Sequence, residues 1–150
     1  MNKTRVVVKR GGGETLQVLG TDLRFLCGPD QTNRAWSLME VVVPANSGAP
    51  PHQHPWDEAY YILDGSIRFV VDGKTETLER GDFVLVPAGT MHAFEGASSQ
   101  PARTLIFDAP AHAESFFREL HREVKELPRD LGKVADIARR HQIQLASPAR

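Results

Sequence analysis

The chain has 150 residues, of which 41% are hydrophobic, and a formal net charge of −1. This length fits one domain that can bury a core without a structural metal or a disulfide framework. The near-neutral charge creates no field that would gather phosphate groups or anionic lipids, so we expect neither nucleic acid nor a membrane as a partner. Cys27 is the only cysteine, which excludes an intrachain disulfide and favours a reducing, cytoplasmic location.

Residues 4–109 consist of short apolar or alternating runs separated by glycine, proline, asparagine and aspartate. This pattern is typical of an all-β domain. Asp64-Gly65 and Asp72-Gly73 each lie between two apolar runs and predict tight hairpins. So many short strands at this spacing predict a sandwich or a barrel. The candidate strands are Arg5–Val8, Leu16–Leu19, Leu23–Cys27, Trp36–Val43, Ala59–Leu63, Ile67–Val71, Lys74–Leu78, Phe83–Val86, His92–Glu95 and Thr104–Phe107.

After Pro110 the apolar residues recur at steps of three and four, which predicts amphipathic helices. The first helix is expected to end before Pro128 and to bury Ala113, Phe116, Phe117, Leu120, Val124 and Leu127. The second contains Leu131, Val134, Ile137 and Ala138, with Asp130 as its N-cap. We expect both apolar stripes to pack on the barrel or on a partner subunit. The prediction is one domain, with a β-barrel over 1–110 and a helical C-terminal appendage over 111–150.

The segment Val134–Ile143 also resembles the first helix of a DNA-binding helix-turn-helix, because it contains the basic run Arg139-Arg140-His141. A recognition helix would have to follow it, and only seven residues remain, including Pro148. The composition and this shortage of residues both argue against DNA binding. His112, His121 and His141 are interpreted as solvated side chains of the helical region.

Two histidines, His52 and His54, are separated by one residue, so on an extended strand both side chains lie on the same face. Glu58 has the same parity, but on a straight strand it would lie about 13 Å from His54. The chain must therefore bend between them for both to bind one ion, and Pro55 supplies the break. A helix would bring His54 and Glu58 together but would leave His52 out of the group.

His92 lies 34 residues beyond Glu58, directly after the turn signal Pro87-Ala-Gly89. A corner at this point starts a strand that can bring His92 to face the earlier pair. A His-x-His pair alone is common on protein surfaces. Together with Glu58 and His92, however, it predicts a metal site with four ligands.

These residues resemble two sequence motifs of the cupin superfamily. Gly48, His52, His54, Glu58 and Gly65 follow the first motif, and Gly81, Pro87, Gly89 and His92 follow the second. One position departs, because Gly96 stands where the second motif usually ends in Asn. The resemblance covers the strand-rich part to about Ala109 and leaves the C-terminal helices outside. It implies an antiparallel jelly-roll β-barrel that holds a divalent metal ion and usually forms a homodimer, and it implies no single reaction.

The ligand set limits which metal suits an enzyme. Three imidazoles and one carboxylate would close a tetrahedral zinc site, whereas six-coordinate iron, manganese, nickel or cobalt would keep two positions open. Two open positions suit a quercetinase-like dioxygenase, and also a non-redox lyase, isomerase or cyclase. A non-catalytic module that binds or senses a small molecule is the third hypothesis.

Two side chains are predicted to have catalytic roles. Glu58 is expected to act as a ligand and as the base that deprotonates the substrate. Tyr60 shares its parity with Glu58 and Ile62, so we expect it in the same cavity as a hydrogen-bond donor, although an ordinary core aromatic is an equal interpretation. With Phe94 on the same wall, the predicted pocket suits a partly apolar small molecule. Whether Arg24 and Arg68 face this pocket is left open by the sequence.

Overall fold

A computed structural model describes residues 4–147 and contains eleven strands and three helices in that range. The elements are β1 (Thr15–Val18), β2 (Thr21–Cys27), α1 (Pro29–Thr32), β3 (Ser37–Val43), β4 (Gly48–Gln53), β5 (Asp57–Asp64), β6 (Ser66–Val71), β7 (Lys74–Glu79), β8 (Phe83–Val86), β9 (His92–Gly96), β10 (Ala102–Ala109), α2 (Ala113–Glu123), α3 (Leu131–Arg140) and β11 (Gln144–Leu145). None of the helices within 4–147 is long and apolar enough to cross a membrane.

The strands form two antiparallel sheets that enclose the core. The six-stranded sheet has the order β1-β2-β3-β10-β5-β8, and the five-stranded sheet has the order β11-β4-β9-β6-β7. Alternate residues of each strand point inward, as the pattern of β3 shows, where every second residue from Ser37 to Val43 is buried. The predicted all-β jelly roll with two C-terminal helices is confirmed. The inward-facing residues include Met39, Tyr60, Ile62, Ile67, Phe69 and Val86.

Nine of the ten predicted strands are present with small shifts of their ends. The exception is Arg5–Val8, which is irregular, with Val6 and Val7 43% and 60% exposed. The run has strand propensity, but no neighbouring strand pairs with it in residues 4–147. The list of candidate strands also lacked β4, although the argument for the metal site placed His52 and His54 on an extended strand. In the structure Pro50 and Pro51 lie where the pairing of β4 with β9 shifts register, a position that tolerates a missing N–H.

The first long helix is shorter than predicted. It ends at Glu123, and its C-cap residue Val124 has extended backbone angles. Asp130 is the N-cap residue of α3, as predicted, but its side chain makes no capping bond to that helix. Its carboxylate instead accepts hydrogen bonds from the backbone N–H groups of Lys125 and Glu126. Asp130 therefore stabilises the turn between α2 and α3.

The C-terminal segment packs on the strands of its own chain, which was one of the two predicted alternatives. Its buried side chains include Ala113, Leu120, Val134, Ile137 and Ala138. Strand β11 then adds to the five-stranded sheet beside β4, with Leu145 opposite His52. The segment from α2 to β11 thus lies at the side of the sandwich where β1 and β11 are the outermost strands of the two sheets. The division into a barrel over 1–110 and an appendage over 111–150 stays a prediction.

Candidate metal centre

The three predicted histidine ligands lie together between the sheets. His52 is on β4 and His92 begins β9, and the pairing of these strands sets the two residues opposite each other. His54 follows β4 directly. One nitrogen of each imidazole lies within 4.8 Å of the other two. His54 and His92 are 4% and 1% exposed, whereas His52 is only partly buried, so the group is open to solvent on the His52 side alone.

Each imidazole is oriented by a backbone carbonyl two residues away. The Nδ1 atoms lie 2.8 Å from the carbonyl oxygen of Pro50 for His52, 3.1 Å from that of Trp56 for His54, and 2.8 Å from that of Thr90 for His92. A carbonyl only accepts, so each Nδ1 carries the hydrogen and donates it. Each Nε2 therefore keeps its lone pair for a metal ion, which is the arrangement that metal-binding histidines commonly have.

The buried Nε2 atoms of His54 and His92 have no hydrogen-bond partner among residues 4–147. They lie 3.4 Å and 3.7 Å from the two carboxylate oxygens of Glu58. Lone pairs and a negative charge that face one another at this distance repel unless a cation lies between them. Two adjacent ligand atoms bound to one ion at about 2.1 Å are about 3.0 Å apart in octahedral and about 3.4 Å apart in tetrahedral geometry, so a small inward movement closes the site around an ion of either kind. The donor set thus fits a divalent metal ion.

The ionisation of these groups also suits a cation. Burial and the nearby His92 lower the pKa of His52 to about 4, which leaves its imidazole neutral at neutral pH. Burial by itself raises the pKa of Glu58, but His54 and His92 outweigh it, so that the pKa lies well below its usual range. The site therefore offers a neutral imidazole at His52 and a carboxylate at Glu58, and both are protonation states that bind metal.

Tyr60 adjoins Glu58 on the same face of β5. Glu58, Tyr60 and Ile62 are all buried while the residues between them are more exposed, as their parity predicts. The hydroxyl of Tyr60 donates a hydrogen bond to Oε1 of Glu58. Burial and the negative charge of Glu58 raise the pKa of Tyr60 well above its usual value, so this phenol remains a donor. Its ring packs edge-on against Phe69.

An apolar cavity adjoins the histidines. Its volume is about 80 Å³. Phe94 lies on its wall, as predicted, and no lysine or arginine of the described residues lines it. Arg24 bonds instead to the Gly12 carbonyl and to Glu40, and Arg68 pairs with Glu95. The two arginines that the sequence left open therefore face away from the cavity.

The sequence did not predict that the C-terminal segment lines this cavity. Phe116, Phe117 and Leu120 of α2 contribute to the wall, with Val134 of α3 and Leu145 of β11. The apolar stripe of α2 was visible in the sequence, but its contact with the histidine site was not, because it depends on how the helix packs. Trp56 was likewise missed as a cavity residue, although it lies between two predicted ligands.

Two of the three histidines interpreted as solvated have specific partners. The backbone N–H of Gln17 donates to Nδ1 of His121, 3.0 Å away. His141 pairs through Nε2 with Glu119, which also pairs with Arg140. Only His112 is exposed as expected. The interpretation was wrong for His121 and His141, because packing of α2 against α3 and against β1 brings these partners close.

The structure explains why glycine stands at position 96, where the second motif usually has Asn. A side chain at this position would overlap the carbonyl oxygen of Pro44, which approaches the backbone of Gly96 closely. The N–H of Gly96 also donates to the carbonyl of Ser47. The departure from the usual motif therefore accommodates a close approach of two backbone segments and leaves the histidine group unchanged.

Comparisons with known proteins agree on the family. Residues 39–108 match the family model described as the cupin domain. The chain is 28% identical over 116 residues to quercetin 2,3-dioxygenase of Bacillus subtilis, a match that covers 76% of this chain and 34% of that protein. It is 43% identical over 84 residues to the dimethylsulfoniopropionate lyase DddQ of Ruegeria pomeroyi, covering 50% of this chain and 42% of the lyase. The chain thus spans less than half the length of these two relatives.

A solved structure is also similar to this chain. The polyketide cyclase RemF from Streptomyces resistomycificus superposes with a TM-score of 0.62 and is 26% identical to this chain. The superposition covers 71% of this chain and 80% of the cyclase. The similar proteins therefore include a dioxygenase, a lyase and a cyclase.

Proposed function

Because this chain belongs to the cupin superfamily, we propose that it is a metal-dependent enzyme that acts on a small molecule, and that its reaction is a dioxygenation. His52, His54, His92 and Glu58 are the proposed ligands. The observation that carries this proposal is the pair of buried, unpartnered Nε2 atoms that face the Glu58 carboxylate beside an apolar cavity. The similarity to quercetin 2,3-dioxygenase, which covers three quarters of this chain, supports the choice of reaction.

Iron, manganese, nickel or cobalt is the proposed metal, because four protein ligands leave open positions on a six-coordinate ion and none on a tetrahedral zinc. A bound redox-active ion of this kind supplies Lewis acidity and electron transfer to O₂. Zinc would suit a reaction without a redox step.

Glu58 is proposed to hold the proton that leaves the substrate. A hydroxyl or enol proton would pass to Oε2, since Oε1 already accepts the Tyr60 hydrogen bond. Tyr60 orients the carboxylate and stabilises its negative charge. The role of Tyr60 toward the substrate is thus proposed to be indirect, through Glu58.

The cavity indicates the class of substrate. Aliphatic and aromatic side chains dominate its wall, and among the described residues that line it there is no cationic side chain to bind a phosphate or a carboxylate. A compact, uncharged and partly apolar molecule with an oxygen that can be deprotonated is the proposed substrate.

A non-redox lyase, isomerase or cyclase is the second candidate. The hydrogen-bonded pair of Glu58 and Tyr60 favours it, because a buried carboxylate and phenol can move a proton without any oxidant. The similarity to a lyase and to a cyclase is consistent with such a reaction.

One experiment separates these functions. The protein is loaded without oxygen with Fe(II), Mn(II), Ni(II) or Zn(II) and mixed with a panel of phenols and enols, and O₂ uptake and substrate loss are then recorded. O₂ consumed in step with substrate supports the dioxygenase. Turnover without O₂ supports the second candidate. Substrates that bind tightly and are recovered unchanged with every metal would overturn both and leave the binding module.

We also propose that the protein forms a homodimer through the outer face of the six-stranded sheet. Phe83, Tyr61 and Leu105 are neighbours in one row across β8, β5 and β10. Phe83 and Leu85 are 61% and 52% exposed, and Trp36 stacks on the exposed Phe107 of the same sheet. Monomeric proteins rarely expose so many large apolar side chains together. Strand β8 is also the last strand of its sheet, so a second copy can approach from that edge.

Cys27 bears on the proposed cytoplasmic location. It is partly buried at the end of β2, and burial raises the pKa of its thiol. A thiol kept protonated reacts slowly with oxidants and with other thiols. This property is consistent with a reducing compartment, and the location stays a proposal.

A further inference from the structure

Trp56 lies in the bend between β4 and β5, between two of the proposed ligands. Its indole ring is parallel to the imidazole of His54, with an interplanar angle of 7° and 4.1 Å between ring centroids. Its carbonyl oxygen accepts the Nδ1–H of the same histidine. Trp56 therefore holds His54 both by stacking and by a hydrogen bond.

The indole N–H of Trp56 has no acceptor among residues 4–147, although the side chain is only 2% exposed. Buried tryptophans usually donate this hydrogen, because an unpaired buried donor is unfavourable. Phenylalanine would provide the same stacking without this cost. A molecule bound in the cavity, whose wall includes Trp56, can supply this acceptor.

The other side-chain donors of the cavity are all used within the protein. Thr21 donates to the carbonyl oxygen of Val18, and Tyr60 donates to Glu58. The Nδ1–H groups of the two cavity histidines, His52 and His54, donate to backbone carbonyls. Among the described residues that line the cavity, Trp56 is therefore the one side chain with a free N–H or O–H.

We propose that the indole N–H of Trp56 donates a hydrogen bond to a carbonyl or enolate oxygen of the molecule bound in this cavity. The inference rests on the proposed function in taking this cavity as the substrate site. Because the ring stacks on His54, the accepting oxygen lies beside the histidine group. Trp56 is thus a specificity-determining residue, since a site with one buried donor discriminates against a molecule of the same shape that lacks the acceptor.

The test uses ¹⁵N-labelled full-length protein loaded with diamagnetic Zn²⁺. The chain has two tryptophans, so its spectrum has two indole N–H signals, and Trp56→Phe identifies the signal of Trp56. Cyclohexanone is the probe, and methylenecyclohexane, in which C=CH₂ replaces C=O, is its matched control. Trp36 lies on the outer face of the sheet and serves as the internal reference.

We expect cyclohexanone to shift the Trp56 indole proton downfield in a saturable manner, while methylenecyclohexane does not and Trp36 stays unchanged. Trp56→Phe is expected to bind cyclohexanone about 2- to 13-fold more weakly, which corresponds to one net hydrogen bond. Its Zn²⁺ affinity should stay within about twofold of the parent, because an aromatic ring and the backbone carbonyl remain at this position.

The methyl signals of Leu23 and Ile106, which also line the cavity, separate the possible failures. If cyclohexanone moves these signals but leaves the Trp56 indole unchanged, the cavity binds ligand and the inference about Trp56 is overturned. If neither compound moves them, both the inference and the proposed substrate site fall. A shifted Trp56 signal in a protein that turns over no substrate would support the inference and contradict the proposed reaction.

Discussion

Tyr60 and Glu58 form a hydrogen bond in which the phenol donates to Oε1 of the carboxylate, and both side chains are buried on one face of β5. This bond leaves Oε2 of Glu58 as the oxygen that lies 3.4 Å from Nε2 of His54. Oε1 in turn lies 3.7 Å from Nε2 of His92, so both carboxylate oxygens face the histidine group and only Oε1 also accepts the Tyr60 hydrogen bond.

Replacing Tyr60 by phenylalanine is expected to lower activity about 10- to 100-fold while metal binding persists. Without the donor the carboxylate of Glu58 is less stabilised, so its pKa rises and the acid limb of the pH–rate profile moves to higher pH. The profile and metal content are measured together on parent and variant. An unchanged acid limb would mean that Tyr60 is only a packing residue.

Substitution of His54 by alanine is expected to remove most of the bound metal. The variant loses one of three converging imidazoles, and the loss of a ligand weakens binding far more than a change in the surroundings of a site does. Metal content is measured by elemental analysis after dialysis, with His121→Ala as the control because His121 lies outside the histidine group. A His54→Ala protein that binds its ion as tightly as the parent would contradict the proposed site.

Phe117→Ala is expected to enlarge the cavity and to shift preference toward bulkier substrates. Phe117 lines the cavity but is only partly buried, so the loss of stability should be less than the roughly 3–5 kcal/mol typical of a fully buried phenylalanine. Urea unfolding measures the stability, and a substrate series of rising size measures the preference. Leu127→Ala is the control, since Leu127 is 49% exposed and outside this cavity.

Asp130→Asn is expected to destabilise the protein in a pH-dependent way. The backbone N–H groups of Lys125 and Glu126, and then the Lys133 ammonium, hold the pKa of Asp130 well below its usual range. The unfolded chain therefore binds a proton more readily, so this carboxylate's contribution is complete above about pH 4 and is lost as the pH falls further. Urea unfolding at pH 6 and pH 3 should show a parent–variant difference that shrinks on acidification. A difference independent of pH would assign the effect to packing.

Phe83→Lys is expected to convert a dimer into a monomer. A charge placed in the row formed by Phe83 and Tyr61 would be buried without a partner in the proposed interface. Light scattering coupled to size-exclusion chromatography measures the mass. Leu131→Lys, at an apolar position of α3 that is 60% exposed, provides the control. A parent protein that is monomeric at every concentration tested would rule out the proposed assembly.

The sequence by itself determined the all-β class and the identity of the candidate ligands. Both depend on local information, because strand alternation and turn residues act over a few positions. The parity of Glu58, Tyr60 and Ile62 predicted their common burial for the same reason. The apolar run Arg5–Val8 was wrongly predicted to be a strand, because within residues 4–147 no neighbouring strand pairs with it.

Only the tertiary structure decided how distant segments meet. The pairing of β4 with β9 sets His52 opposite His92, and helix packing brings Phe117 to the cavity. The free N–H of Trp56 and the close approach of Pro44 to Gly96 likewise depend on backbone segments that are far apart in the chain or bent sharply. Such contacts follow from strand register and helix docking, which are set by burial over the whole domain and not by residue spacing.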